Sequence, residues 1–149
     1  MPPVAIDRVL APLDGSEESL TAAEYALAIA DRYDADLHAL HVLSETLARD
    51  IRDGEVDETA VAEDTEAFMA DVQALAEEYD VTLSHSEAYG FLPSQLTHHP
   101  GSVILDAADE VDADFLVVPR EPVSGEPDEV LGKAAEYVLM YASQPVLSV

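Results

Sequence analysis

The sequence predicts an α/β domain: a doubly wound five-stranded parallel sheet with helices on both faces. Three observations carry that reading. Short apolar, β-branched segments alternate with longer stretches whose apolar residues recur every three or four positions. The alternation of strand and helix runs through the chain and ends on a strand, which calls for parallel pairing and right-handed crossovers. The strands are short and apolar, as strands covered on both faces are.

Each element follows from its own residues. Val4 to Leu13 (VAIDRVLAPL) is β-rich and closes on Asp14-Gly15-Ser16, a turn in which Ser16 can cap a helix carrying Glu17 and Glu18 in its first turn. Leu20, Ala23, Leu27 and Ala30 keep helical spacing, so residues 17–33 form the first helix. Asp36 to Leu43 (DLHALHVL) is the second strand, and the acidic, nearly aperiodic SETLARDIRDGEVDET after it is a long surface loop with a helical turn. Val61, Thr65, Phe68, Val72, Leu75 and Tyr79 mark a helix from Asp57 to Tyr79, and VTLSHSEAYG, residues 81–90, alternates as a third strand. Gly101 to Val111 is helical, Asp114 to Val118 is a buried strand, Asp128 to Ala142 is helical, and Pro145 to Val149 closes the chain as a strand. Ligands of such sheets bind outside the carboxyl ends of the strands where strand order reverses. Those ends are Pro12 to Ser16, Val42 to Ser44, residues 88–91, and Pro119 onward.

With 149 residues, 16.0 kDa and 48% hydrophobic residues, the chain suits one domain, residues 1–149. The absence of cysteine excludes disulfides, thiolate metal sites and cysteine nucleophiles. Thirty-two acids against six Lys and Arg give a net charge of -26, which repels nucleic acid and anionic membranes. The acids recur on the outer faces of helices (Glu17, Glu18, Glu24, Asp31; Glu63, Asp64, Glu66, Asp71, Glu77, Glu78), as a solvated surface does, and fit a surface adapted to high salt. Met1 to Asp14 holds no apolar stretch long enough for a signal peptide, so the cytoplasm is the expected compartment.

Four segments in order, PLDGSEES, LHALHVL, DAADEVDADFLVVP and LGKAAEYVLMYASQPVLSV, resemble the universal stress protein family over essentially the whole chain. The resemblance implies the adenine nucleotide alpha hydrolase-like sheet with four helices, commonly paired as a homodimer through the final strand, Pro145 to Val149. In the nucleotide-binding branch of that family, an Asp after the first strand and a Val at the end of the second hold adenosine. Asp14 and Val42 match, with Pro12 beside Asp14. The same branch cradles phosphates with Gly, two residues, Gly, nine residues, Gly and a Ser or Thr. Gly132 matches the third glycine, whereas Pro119, Pro122 and Lys133 stand at the other three positions. Glycine allows positive φ and offers an N–H to an anion; proline fixes φ and removes the donor. Losing two charge-assisted N–H contacts at about 1.5 to 3 kcal/mol each weakens phosphate binding about a hundredfold or more.

The expected cofactor is therefore none, the alternative being weak ATP or AMP held with help from Arg120 and Lys133, two of six cations. The plainer account of those two pairs Lys133 with Glu129 and Arg120 with Glu121 or another nearby carboxylate. His98-His99 before Pro100 reads as a turn rather than a metal site, and His38 and His41 fall on opposite faces of their strand as packing or surface residues. No Gly-x-Ser-x-Gly elbow supports hydrolysis, and a phospho-acceptor receiver lacks its acidic pair, its third-strand Asp and its last-strand Lys. Residues 89–102 are apolar for a loop and suit a lid or a contact. The function these readings support is a stress-response binding or regulatory module with an unidentified regulatory protein partner and no catalytic residue. The alternative is a nucleotide switch with slow ATP hydrolysis.

Overall fold

The computed structural model describes residues 4–43, 50–89, 100–119 and 131–149. Along the chain it places β1 (Arg8–Leu13), α1 (Glu17–Tyr33), β2 (Asp36–Leu43), α2 (Glu58–Tyr79) and β3 (Leu83–Tyr89), then α3 (Pro100–Glu110), β4 (Phe115–Val118), α4 (Leu131–Tyr141) and β5 (Val146–Ser148). The strands form one sheet in the order β3-β2-β1-β4-β5, and every neighbouring pair is parallel. Residues 50–52 form the helical turn expected within the acidic connection. Residues 128–130, where the last helix was expected to begin, and most of the apolar loop at 89–102 lie outside the described residues.

Strand parity divides the core in two. Val9, Ala11 and Leu13 of β1, with Leu37 and Ala39 of β2, pack against the alanine-rich face of α1 and against Met69, Val72 and Ala76 of α2. Leu10, Leu40 and Val42 point the other way, onto Ile104 and Ala108 of α3 and Ala134, Ala135 and Val138 of α4. Small side chains at Ala22, Ala23, Ala26 and Ala30, all fully buried, let α1 lie close to the sheet. The acids assigned to outer helix faces are exposed, from Glu17 and Glu18 through Glu77 and Glu78.

Three helices end in the same way. Asp34, Asp80 and Asp112 adopt left-handed φ of 54°, 56° and 55°. The residue after each donates its N–H back to the last helical turn, Ala35 to Ala30 O at 2.8 Å, Val81 to Ala76 O at 3.0 Å and Ala113 to Ala108 O at 2.9 Å. This is the Schellman arrangement, with an apolar residue after the left-handed one buried at the start of the next strand. Aspartate tolerates that conformation, but it also puts a negative charge at the negative end of each helix dipole.

β1 is shorter than expected. Val4 is 91% exposed, and pairing begins at Arg8. There the Asp114 carboxylate accepts from the Asp7 N–H at 2.8 Å and the Arg8 N–H at 3.1 Å, while Arg8 Nη1 donates to Val111 O at 2.8 Å. That clamp fixes where the sheet starts.

Candidate functional site

From β1 the chain builds the sheet one way through β2 and β3, then returns to β1's other side with β4 and β5. Strand order therefore reverses between β1 and β4, and a crevice belongs at their carboxyl ends. Asp14 follows β1 there, and buried Pro119 follows β4.

Pro12 helps open that crevice. β1 pairs with β2 as far as Leu13 opposite His41, but its described pairing with β4 stops at Leu10 opposite Leu116. Parallel strands direct alternate residues to one neighbour, so Pro12 comes next after Leu10 on the edge facing β4. It has no N–H to donate to the next rung, and the two strands are released from each other where a ligand would enter.

Asp14 is held by its own turn. One carboxylate oxygen accepts from the Ser16 N–H at 3.0 Å and from the Ser16 hydroxyl, and Gly15 supplies the φ of 85° that the turn needs. Ser16 in turn caps α1, its hydroxyl accepting from the Ser19 N–H at 3.1 Å. No described residue bonds the second carboxylate oxygen of half-buried Asp14, which can accept from a hydroxyl or amine of a ligand. Val42 lies on the sheet face covered by α3 and α4, 1% exposed and in register with Ala88. Leu40, on the same face of β2, pairs with Pro12 across the β1–β2 ladder.

Pro12, Asp14, Val42 and Pro119 thus lie at the carboxyl ends of β1, β2 and β4. Gly132 and Lys133 belong to the first described turn of α4, where the structure describes the backbone. Arg120, Pro122, Glu121 and Glu129 lie outside the described residues, as do His98 and His99. Among the described residues, no group of three or more His, Cys, Asp or Glu could hold a metal ion.

Both histidines of β2 are buried, on opposite faces as their spacing requires. His38, 7% exposed, has Nδ1 at 2.8 Å from Ser84 Oγ and Nε2 at 2.9 Å from Ser86 Oγ. Burial pushes its pKa down, with Arg8 and His85 adding to the effect. His41, 5% exposed, meets Phe68 of α2 edge-on at 6.2 Å, and its Nδ1 is buried without a partner among the described residues. Burial lowers its pKa too, against the pull of Glu87 and Asp14. A signal for these environments existed in the serine pair on the alternating third strand, but only the register of β2 with β3 brings Ser84 and Ser86 to His38.

The universal stress protein family model matches residues 5–149. A curated relative, universal stress protein MJ0531 of Methanocaldococcus jannaschii, is 30% identical over 145 residues, spanning 95% of this chain and 81% of that one. Among solved structures, universal stress protein UspA from Lactobacillus plantarum superposes with a TM-score of 0.74 at 22% identity, covering 99% of each chain. A universal stress protein in complex with cAMP superposes with a TM-score of 0.68 at 23% identity, covering 98% of each.

Proposed function

The chain belongs to the universal stress protein family, and on that premise we propose that it is a stress-response binding and regulatory module without catalytic residues. Its crevice keeps the groups that face an adenosine and lacks those that grip a triphosphate. What supports this reading is that Asp14 and Val42 stand at the same end of the adjacent parallel strands β1 and β2, with proline rather than glycine at position 119 after β4. A preoriented carboxylate oxygen and a buried valine suit the sugar and base of a nucleoside. A similar fold binds cAMP, a nucleotide with a single phosphate. Titration calorimetry tests the proposal: AMP or cAMP binds weakly, and Mg·ATP gains nothing from its added phosphates. Tight, Mg²⁺-dependent ATP binding at micromolar concentration overturns it.

A second reading draws on the placement of scarce cations. Arg120 and Lys133, two of six, flank the connection between β4 and α4, and with Asp14, Val42 and Gly132 they could form a side-chain anion site in a switch that slowly hydrolyses ATP. Nucleotide retained through purification, and lost in Arg120→Ala and Lys133→Ala variants, would favour this reading over the first.

The module acts in the cytoplasm as a homodimer joined through β5. No helix among the described residues is long and apolar enough to cross a membrane. In support of pairing, β5 is a sheet edge bonded, among the described strands, only to β4, and the adjoining end of α4 exposes Leu139, Met140 (67%) and Tyr141. Sedimentation should give about twice the chain mass of 16.0 kDa. A Met140→Lys, Tyr141→Glu variant should sediment as a monomer, and an unchanged dimer would move the interface elsewhere.

A further inference from the structure

The edge of the sheet opposite β5 is of a different kind. β3 presents seven residues, and a groove of about 360 Å³ runs between it and α2. Its lining includes Glu66, Met69 and Gln73 from α2 and Leu83, His85 and Glu87 from β3. Leu37 N donates to Thr82 O at 3.0 Å, and the β2–β3 pairs run from Leu37 opposite Leu83 to Leu43 opposite Tyr89. A parallel ladder turns alternate residues to its partner, so Ser84 and Ser86 direct their main-chain groups at β2. Leu83, His85 and Glu87 direct theirs outward, from the edge of the sheet. The same three residues that line the groove therefore carry N–H and C=O groups with no main-chain partner among the described residues. That combination is what an added strand uses, main-chain bonds for affinity and a pocket for alternate side chains.

The groove's chemistry selects the strand. Met69 and Leu83 give it an apolar floor, while Glu66 and Glu87 stand over it with no cationic partner among the described residues. An aliphatic stem ending in a positive charge fits such a surface. A second copy of this chain paired there does not, because it would bring another Glu66 and Glu87 against the same carboxylates. We propose that β3 accepts an extended segment of a partner protein as a sixth strand, with a Lys or Arg of that segment laid over Met69 between Glu66 and Glu87. The proposal is independent of what occupies the crevice between β1 and β4.

The test is fluorescence anisotropy of the full chain with a short, capped, fluorescein-labelled peptide alternating valine and arginine, at about 0.15 M KCl, where charges beyond about 8 Å are screened. Glu66→Gln with Glu87→Gln should weaken binding at least about tenfold, whereas Glu77→Gln with Glu78→Gln, on the exposed end of the same helix, should leave it within about twofold. His85→Pro removes an outward N–H without touching a rung to β2 and should weaken binding as strongly. Methylating alternate peptide amides asks the same question without altering the protein, so a misfolded His85→Pro variant does not leave it open. Four results overturn the proposal: equal loss in both glutamate pairs, equal binding of a glutamate-for-arginine peptide, full binding by the methylated peptide, or displacement by spermine at the peptide's own affinity. Self-association of the chain that disappears in the Glu66→Gln, Glu87→Gln variant would also overturn it, by assigning the edge to a second copy.

Discussion

Replacing Asp34, Asp80 and Asp112 together by asparagine isolates one electrostatic quantity. All three sit in left-handed φ just past helix C-termini, and all three are exposed. Asparagine occupies the same backbone region and can keep the bonds that Ala35, Val81 and Ala113 make back into the helices. What disappears is a negative charge at each negative helix end, a repulsion of about 0.3 to 1 kcal/mol per site at low ionic strength. Taken as additive, the three sites sum to about 1 to 3 kcal/mol. For a domain of this length each kcal/mol moves Tm by about 2 to 4 °C. The triple variant should therefore melt about 2 to 12 °C higher than the parent in dilute buffer. In about 1 M KCl, with a Debye length of about 3 Å, most of that gain should vanish. Melting followed by circular dichroism at both salt levels reads the difference. A gain of equal size at both would show that backbone preference rather than charge is the operative term, and the argument that high salt suits this surface would lose one of its supports.

The other expectations concern packing, protonation and the crevice. At Gly101 an added Cβ would lie 2.5 Å from Tyr137 Cδ1 and 2.7 Å from Tyr137 Cβ, so Gly101→Ala should cost about 1 to 3 kcal/mol by denaturant unfolding despite its better helix propensity, and neutral stability would show that α3 and α4 separate freely. His38 and His41 have folded pKa values below their unfolded 6.5. Their neutral forms are favoured by folding, so stability is full above about pH 6.5 and falls as pH drops below it. His41→Phe should flatten part of that slope in denaturation curves between about pH 7 and 5.5, and an identical slope would place the proton uptake elsewhere. Pro12→Ala restores an N–H facing β4; hydrogen exchange should find that amide protected, and fast exchange would mean that the strands part for another reason.

Much of the architecture was legible because it rests on local pattern. Alternating residues on β1 and β2 separate the two cores without reference to any distant residue, and Ser16 with two following glutamates announces α1. The start of β1 was not legible. Val4 to Ile6 read as strand by composition, yet pairing waits for Arg8, where a carboxylate from residue 114 binds the backbone. The helix ends at Tyr33 and Tyr79 were legible where the apolar spacing stops, but the caps that close them were not, because aspartate in left-handed φ is a weak signal beside glycine. For the site, the sequence pointed to Asp14 and Val42, but the part Pro12 plays depends on which neighbour its edge faces, and that follows only from strand order. The β3 groove depends on a helix and a strand meeting across the sheet edge, which no local spacing encodes.

The position of β3 and β5 at opposite ends of the sheet has a consequence for valency. Two copies joined at β5 would make a continuous ten-stranded sheet with a β3 groove at each extremity. A partner carrying two cationic segments on a tether long enough to span that sheet could engage both, so that its second attachment becomes intramolecular and its residence time lengthens without any new contact. Dissociating the pair would halve the number of attachment points and release such a partner, which makes the oligomeric state itself a means of control.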